Sequence, residues 1–255
     1  MKYSGLALSC LFALSGFSSA SMAAEKNAAE ATPAPMHGSA ENPVSRQYYC
    51  KLQNDFDNPP DGSGIKNGAC KQAYQNGDFE NWQRPAAFNE WSAYSQNISS
   101  STTPDKPIDL VPDGMLCSAG KTGVYEGINL PSAEWQTSEL DVKDGRVQLV
   151  YKATQMHDPS KFRVFFSNAS FDPTTSRLKW GDLVESPEVK HEGTPDVANS
   201  TKHENTPGHY ALDVKLPDGY IVSCKKSIVY IMWERNDPAR ETFFSCSDVV
   251  LKDAS

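Results

Sequence analysis

The second half of the chain is built of short runs in which apolar and polar residues alternate. In residues 146–153, Val147, Leu149, Tyr151 and Ala153 recur at every second position, which is the period of a strand with one buried face. Later runs that are bounded by Pro, Gly, Asn or Asp cover residues 162–166, 209–216, 227–234 and 242–251. Several short strands separated by turns predict an antiparallel β-sandwich.

The first half of the domain is less regular. Residues 71–96 combine short helical potential with aromatic residues, whereas residues 51–70, 97–112 and 186–207 are rich in turn-forming residues and predict loops. Residues 38–50 form a strand-like run that ends in a cysteine. We therefore predict an all-β fold, an immunoglobulin or fibronectin III-like antiparallel sandwich, with a helical or loop insertion between its first strands.

The N-terminus predicts export from the cell. Residues 1–24 join a basic start to an apolar stretch too short to span a bilayer, and then to small residues suited to a signal peptidase. Residues 25–36 are rich in Ala, Glu and Pro with nothing to bury, and predict a disordered tail or pro-segment. Because no later segment is apolar enough to cross a membrane, we expect residues 37–255 to form one secreted, extracellular domain without membrane attachment.

The acidic balance of the chain restricts its partners. The formal charge is −8, and it is nearer −9 after removal of the predicted signal, which carries one lysine and no acidic residue. Phosphate backbones are bound by basic surfaces, so this charge argues against a nucleic acid partner. A neutral polymer such as a polysaccharide stays compatible with it.

Cysteine usage fits an oxidising compartment. The chain has five cysteines after the predicted signal, at positions 50, 70, 117, 224 and 246. Two disulfides and one odd thiol are the simple expectation, and the spacing alone does not give the connectivity.

Common catalytic motifs are missing from the sequence. It contains no HExxH, no CxxC pair, no GxSxG and no glycine-rich phosphate loop, which removes the most frequent hydrolase and nucleotide-enzyme interpretations. Histidine is the remaining candidate for metal or acid–base chemistry. His157 follows a predicted strand at a turn, where an exposed, solvated side chain is the simpler interpretation. We interpret His191 and His203 as solvated loop residues, and His209, which opens a strand, as structural.

Several segments carry a family resemblance in the same order along the chain. They are "HGSAENPVSRQYYC" from His37, "VPDGMLCSAGK", the turn "KATQMH", "HYALDVKLPDG" and "IVYIMWERNDPARETFFSCSDVV". Together they resemble the bacterial-type lytic polysaccharide monooxygenases, auxiliary activity family ten, formerly called chitin-binding type-4 domains. The likeness extends from His37 to about Asp253. The "VPDGMLCSAG" and "FFSCSDVV" segments are most similar to the cellulose-active branch, and the "YEPQSVEG"-like segment of many chitin-active members is absent.

The resemblance implies a copper site at the start of the domain. In this family the free α-amine and the ring Nδ1 of the first histidine, here His37, chelate one copper ion, and a second histidine, here His157, completes a three-nitrogen histidine brace. Imidazole and amine nitrogens suit copper. The implied chemistry uses an external electron donor with O2 or H2O2 and abstracts hydrogen from a C–H bond beside the glycosidic link.

Further residues take on roles by the same resemblance. Phe243 matches the axial aromatic beside the copper, and its neighbour Phe244 should point the opposite way by strand alternation. Glu241 matches a position that hydrogen-bonds an oxygen species, and Arg235 matches one that orients this glutamate, with a surface ion pair as the alternative interpretation of both residues. Gln155 stands where the family usually has a small alanine.

The resemblance also implies substrate-contact residues and two disulfides. Phe88 and Trp91 match aromatic residues that stack on the polymer, with partial burial in the core as the alternative for both. The implied disulfides are Cys50–Cys70 and Cys117–Cys246, which leaves Cys224 unpaired.

Two functional hypotheses follow. The first is a monomeric, secreted copper monooxygenase that attacks crystalline cellulose or chitin, with oxidation at C1 favoured. It requires a second cleavage that removes residues 25–36, because an amide nitrogen binds copper far more weakly than a free amine. The second is a non-catalytic secreted chitin- or cellulose-binding protein or adhesin that keeps the tail. A purely structural sandwich gives no reason for His37, His157 and Phe243 together.

Overall fold

The computed structural model describes residues 37–196 and 206–254. The predicted signal peptide, the predicted tail and His203 lie outside the described residues. The strands are β1 (Gly38–Asn42), β2 (Ser95–Asn97), β3 (Thr137–Val142), β4 (Arg146–Ala153), β5 (Ser160–Ser167), β6 (Leu183–Glu185), β7 (Val189–Pro195), β8 (Gly208–Lys215), β9 (Lys226–Arg235) and β10 (Glu241–Asp253). The α-helices are α1 (Arg46–Gln53), α2 (Gly68–Tyr74) and α3 (Ala86–Asn89).

Two sheets form the sandwich. The four-stranded sheet has the order β1-β4-β8-β7, and the six-stranded sheet has the order β2-β10-β9-β5-β6, with β3 beside the second half of β10. All of these pairs are antiparallel except β3–β10, which is parallel. The predicted all-β sandwich is confirmed, with the helical insertion between β1 and β3.

The core has two parts, one on each face of the six-stranded sheet. Between the sheets, the inward residues of β4 (Val147, Leu149 and Tyr151) pack with apolar residues of β5, β8, β9 and β10. The other face of the six-stranded sheet is covered by the helices and their loops. Phe243 belongs to the first cluster and Phe244 to the second, as the strand alternation predicts.

Both predicted disulfides are present, one within the insertion and one between the insertion and the sheet. Cys50–Cys70 joins α1 to α2, and Cys117–Cys246 joins the long connection before β3 to β10. Cys224 is unpaired and exposed.

Two segments differ from the sequence-based prediction. The strand-like run after His37 ends at Asn42, and α1 begins after Ser45, whose side chain accepts a hydrogen bond from the backbone N–H of Tyr48. The predicted loop 186–207 contains the edge strand β7, whose side chains are mostly exposed and therefore lack an alternating pattern. Within the described residues, no helix has the length and apolar character needed to cross a membrane.

Candidate metal centre

His37 lies immediately before β1, and neighbouring segments hold its main chain on both sides. Its backbone nitrogen donates to the carbonyl oxygen of Ser92 at 3.0 Å, and its own carbonyl oxygen accepts from the Thr154 N–H at 2.8 Å. The Gly38 N–H also donates to Ser92, at 3.1 Å. The nitrogen and the side chain of His37 therefore have a fixed position between the end of β4 and the segment before β2.

His157 lies on the turn between β4 and β5, and Tyr210 fixes its main chain. The Tyr210 hydroxyl accepts from the His157 N–H at 3.0 Å, and lies 3.2 Å from the His157 carbonyl oxygen and 3.3 Å from Asp158 Oδ1. Tyr210 is fully buried on β8, and burial raises the pKa of its hydroxyl, which keeps the donor proton at ordinary pH.

The imidazole rings of His37 and His157 are in contact. Their centroids are 4.7 Å apart, and both side chains are almost completely buried. The Phe243 ring lies 4.9 Å from the His37 ring, and the Trp233 ring lies 6.0 Å from His157 on an inner wall of the site. The solvated-loop interpretation of His157 is therefore wrong, because the side chain packs against His37 and Trp233.

An ion pair borders His37. Arg235 is the last residue of β9 and Glu241 the first of β10, and Arg235 Nη1 donates to Glu241 Oε2 at 2.7 Å. The Nε2 atom of His37 lies 3.3 Å from Arg235 Nη1 and 3.5 Å from Glu241 Oε2. The other carboxylate oxygen of Glu241 accepts from the Ser95 hydroxyl at 3.3 Å. Four of the predicted residues thus lie beside the His37 imidazole, namely His157, Phe243, Arg235 and Glu241.

The arrangement of nitrogen atoms fits copper. Within the part of the chain that the structure describes, no group of three or more His, Cys, Asp or Glu side chains could hold a metal ion. The structure brings two imidazoles together, and the family resemblance implies that a third nitrogen comes from the main chain of His37. The Nε2 atom of His37 faces the ion pair, and Nδ1 is the ring nitrogen that closes a six-membered chelate with the α-nitrogen of the same residue. Copper favours this set of imidazole and amine ligands.

The predicted aromatic contacts are only partly available. Phe88 is fully buried against Phe56 and Tyr74, so it has no face for a polymer, and the prediction for this residue is wrong. Trp91 is half-buried and stacks on Tyr48 with ring centroids 4.2 Å apart.

Trp82 is a residue that the sequence argument did not select. It lies on the same segment as Trp91 and is 79% exposed. Aromatic spacing in a segment of short helical turns does not show which ring faces water, so sequence alone gave no means to choose between Phe88 and Trp82. Gln155 is half-buried two residues before His157.

The other described histidines lie on different surfaces. His191 is on β7, with its ring centroid 5.1 Å from that of Phe162, and burial lowers its pKa. The prediction of a loop at His191 is therefore wrong, whereas its exposed side chain agrees with the solvated interpretation. His209 lies on the outer face of the four-stranded sheet between Glu41, at 3.0 Å, and Asp196, at 2.7 Å, which agrees with a structural role.

Comparison with known proteins agrees with the family resemblance found in the sequence. Residues 37–249 match the family model described as lytic polysaccharide mono-oxygenase, cellulose-degrading. The chain is 31% identical over 219 residues to the chitin-binding protein CbpD of Pseudomonas aeruginosa, covering 86% of this chain and 48% of that protein. It is 32% identical over 223 residues to a lytic cellulose monooxygenase of Streptomyces ambofaciens, covering 86% of this chain and 54% of that protein.

A solved structure supports the same fold. A lytic polysaccharide monooxygenase from Kitasatospora papulosa superimposes with a TM-score of 0.59 at 26% identity, covering 85% of this chain and 98% of that chain. The match therefore covers nearly all of that solved structure. By contrast, the chain spans about half the length of the two curated relatives.

Proposed function

Since the chain belongs to the family of cellulose-degrading lytic polysaccharide monooxygenases, we propose that it is a secreted, monomeric copper monooxygenase that cleaves glycosidic bonds in crystalline cellulose or chitin. The observation that carries the proposal is the contact between the rings of His37 and His157, 4.7 Å apart at their centroids, with Phe243 beside them. A solvated or purely structural histidine has no need of this arrangement.

The residues that would hold the copper are His37, through Nδ1 and a released α-amine, and His157, through its ring. When bound, the copper supplies one-electron chemistry: with an external electron donor and O2 or H2O2 it generates an oxidant able to attack a strong C–H bond. The protein fixes the two rings and limits the access of water. Phe243 has no donor atom, so its ring closes one side of the site without adding a ligand.

The ion pair of Arg235 and Glu241 provides a hydrogen-bond acceptor for the ring N–H of His37. With Nδ1 bound to a metal, the neutral imidazole carries its proton on Nε2, and Glu241 Oε2 at 3.5 Å becomes the acceptor of that proton. Arg235 holds the carboxylate in this orientation through its 2.7 Å contact. We expect the Glu241 carboxylate to face the open site, and Gln155 to limit the space beside His157.

A flat polymer is proposed to lie across the face that carries the exposed aromatic side chains. Trp82, together with the half-buried Trp91, is the proposed stacking platform for sugar rings. The relatives that are named for cellulose and for chitin support a β-linked polysaccharide of either kind. Oxidation at C1 is proposed from the resemblance to the cellulose-active branch.

The first experiment tests the copper site. Two purified chains are compared by calorimetric Cu(II) titration, one beginning at His37 and one that keeps residues 25–36. The chain that begins at His37 should bind one copper ion tightly, and the longer chain should bind it far more weakly, because its nitrogen at residue 37 is an amide. His157→Ala should abolish tight binding, and His191→Ala is the matched control. Equal, weak binding by both chains would exclude the monooxygenase.

The second experiment tests the substrate. The copper-loaded chain is incubated with crystalline cellulose or chitin, ascorbate and H2O2, and the products are identified by mass spectrometry as C1-oxidised oligosaccharides. Trp82→Ala should weaken polymer binding severalfold without changing thermal stability, because this side chain is 79% exposed. Ile221→Ala, which changes a side chain that is 72% exposed on another loop, is the control.

A non-catalytic polysaccharide-binding protein is the second candidate. The exposed Trp82 and the relative named as a chitin-binding protein favour it. Binding to either polymer without oxidised products from the copper-loaded, trimmed chain would support this candidate instead.

A further inference from the structure

The hairpin between β9 and β10 carries both Arg235 and Glu241, and a second ion pair closes it. Arg240 Nε contacts Glu234 Oε1 at 2.6 Å, and Arg235 Nη1 contacts Glu241 Oε2 at 2.7 Å. Both pairs join residues six positions apart. Because successive side chains of a strand point to opposite faces, the two pairs bridge the hairpin on opposite sides of the sheet.

The carboxylate of the second pair is the more deeply buried of the two, whereas its guanidinium, that of Arg240, is 33% exposed. Glu234 follows Trp233 of the inter-sheet core and is only 8% exposed, on the face that is covered by the insertion. Its Oε2 atom has no hydrogen-bond donor among the described residues, so Arg240 is its one charged partner there. The hydrogen bond with the Glu234 carboxylate raises the pKa of the Arg240 guanidinium. A buried charge with a single partner depends strongly on that partner.

The main chain of Arg240 has an unusual conformation. Its φ angle is +49°, in the left-handed region that residues with a side chain rarely adopt. Its N–H donates to the carbonyl oxygen of Asp237 at 3.0 Å, and its own carbonyl oxygen accepts from the Ile98 N–H at 3.3 Å and from the Thr242 hydroxyl at 3.0 Å. The left-handed turn at Arg240 sets the direction in which the next residue, Glu241, leaves the hairpin.

We propose that Glu234 and Arg240 are positioning residues for the metal centre. Their ion pair holds the left-handed turn from the buried side, and the turn brings Glu241 to Arg235 and both of them to His37. Neither residue of the pair is among the contacts of the imidazole rings. The proposal rests on the proposed function only for its copper readout, since the positions of Arg235 and Glu241 are measurable without metal.

The primary test uses the metal-free protein that begins at His37, labelled with ¹⁵N-histidine. The ring Nε2 of His37 lies 3.3 Å from Arg235, so its chemical shift reports the position of the ion pair. Glu234→Gln and Arg240→Gln should displace this resonance in the same direction as Glu241→Gln. The charge swap Glu234→Arg with Arg240→Glu, and the conservative Arg240→Lys, should return it toward the wild-type value.

The matched control is the ion pair of Arg163 and Glu185, on the neighbouring strands β5 and β6. Its two contacts measure 2.7 Å, and like the hairpin pair it joins one largely buried and one partly exposed side chain. Glu185→Gln, like Arg240→Gln, removes the more exposed partner of a buried charge. It should lower the thermal midpoint by no more than Arg240→Gln, because Arg163 keeps a 3.5 Å contact with Asp105, and it should leave the His37 resonance in place. If Glu234→Gln leaves the resonance unmoved, or if Glu185→Gln moves it equally, the positioning role is refuted.

Copper affinity supplies the second readout. Substitution of residues that orient metal ligands reduces metal affinity by roughly 10–100-fold, and residues that act through Glu241 should lie at the lower end, about tenfold. If the wild-type chain that begins at His37 binds no copper, the proposed function fails, and the histidine spectra still decide whether the pair positions the hairpin.

Discussion

The contact between Tyr210 and His157 gives the sharpest prediction about the site. Tyr210→Phe removes one oxygen atom and keeps the buried ring, so packing changes little. The substitution removes the acceptor of the His157 N–H, which lies 3.0 Å from the hydroxyl. Losing the partner of a buried backbone group costs about 1–3 kcal/mol. For a domain of this size each 1 kcal/mol lowers the thermal midpoint by roughly 2–4 °C. We therefore expect a decrease of about 4–8 °C for a loss near 2 kcal/mol.

Tyr230→Phe is the matched control. Tyr230 is also fully buried, but its hydroxyl donates only one long bond, 3.4 Å, to the Leu116 carbonyl oxygen. That oxygen also accepts from the Ala119 N–H at 3.1 Å, so it keeps a partner after the substitution. The control should lose less than about 1 kcal/mol.

Two assays separate the effect on stability from the effect on the site. Urea unfolding of the metal-free protein measures the free energy of unfolding, and calorimetric titration measures the copper affinity. Tyr210→Phe should weaken both, since the main chain that carries His157 becomes less well fixed, whereas Tyr230→Phe should leave copper affinity unchanged. Equal effects of the two substitutions in both assays would show that the Tyr210 hydroxyl does not hold His157.

Three further predictions concern stability. Asp248→Asn leaves the buried Arg46 guanidinium without the carboxylate 2.7 Å away, and should reduce the free energy of unfolding by about 3–5 kcal/mol in urea titration. Gly127→Ala would bring a methyl group to 2.1 Å from a backbone carbonyl oxygen, and should cost about 1–3 kcal/mol in the same assay. The hydrogen bond from Arg146 lowers the pKa of Asp213 below its usual 3.8. The contribution of this pair to the free energy of unfolding is therefore complete above about pH 4 and is lost as the pH falls through the lowered pKa. Arg146→Gln should therefore reduce the thermal midpoint near neutral pH and converge with the wild type in acid.

Controls for these substitutions are available in the same chain. Lys252→Gln breaks an exposed ion pair and should cost at most about 1 kcal/mol, and Gly181→Ala adds a methyl group with nothing within 4 Å. A loss for Asp248→Asn no larger than that for Lys252→Gln would contradict the buried-pair argument. Gly127→Ala and Gly181→Ala with equal stability would contradict the steric argument, and parallel pH curves for Arg146→Gln and the wild type would contradict the linkage.

The strands that the sequence predicted correctly bury many side chains, β4 and β8 on one face and β5, β9 and β10 on both. Residues 146–153 form β4 with the predicted bounds, because the inward positions Val147, Leu149 and Tyr151 alternate with outward ones. The edge strand β7 escaped detection because it buries few side chains and its composition is that of a loop. Helix α1 was missed because its start depends on one capping serine that follows a true strand.

The site was predictable only in part, for a different reason. The association of His37 with His157 came from the family resemblance, because residues 120 positions apart carry no pairing signal in their spacing. Tyr210 and Ser92 act on the main chain of the histidines, and a contact with a backbone atom leaves no motif in the sequence. Phe88 was misassigned because the burial of an aromatic ring within short helical turns depends on packing against Phe56 and Tyr74, which lie outside the local sequence.

The two hydrogen bonds that converge on the Ser92 carbonyl oxygen, from His37 at 3.0 Å and Gly38 at 3.1 Å, have a consequence for maturation. A primary amine retains hydrogens, so it can donate to the same oxygen as the amide it replaces. A protease that released the α-nitrogen of His37 would therefore create the third ligand at a location that the folded domain already provides. Activation would then require cleavage of one peptide bond and no refolding of the first strand.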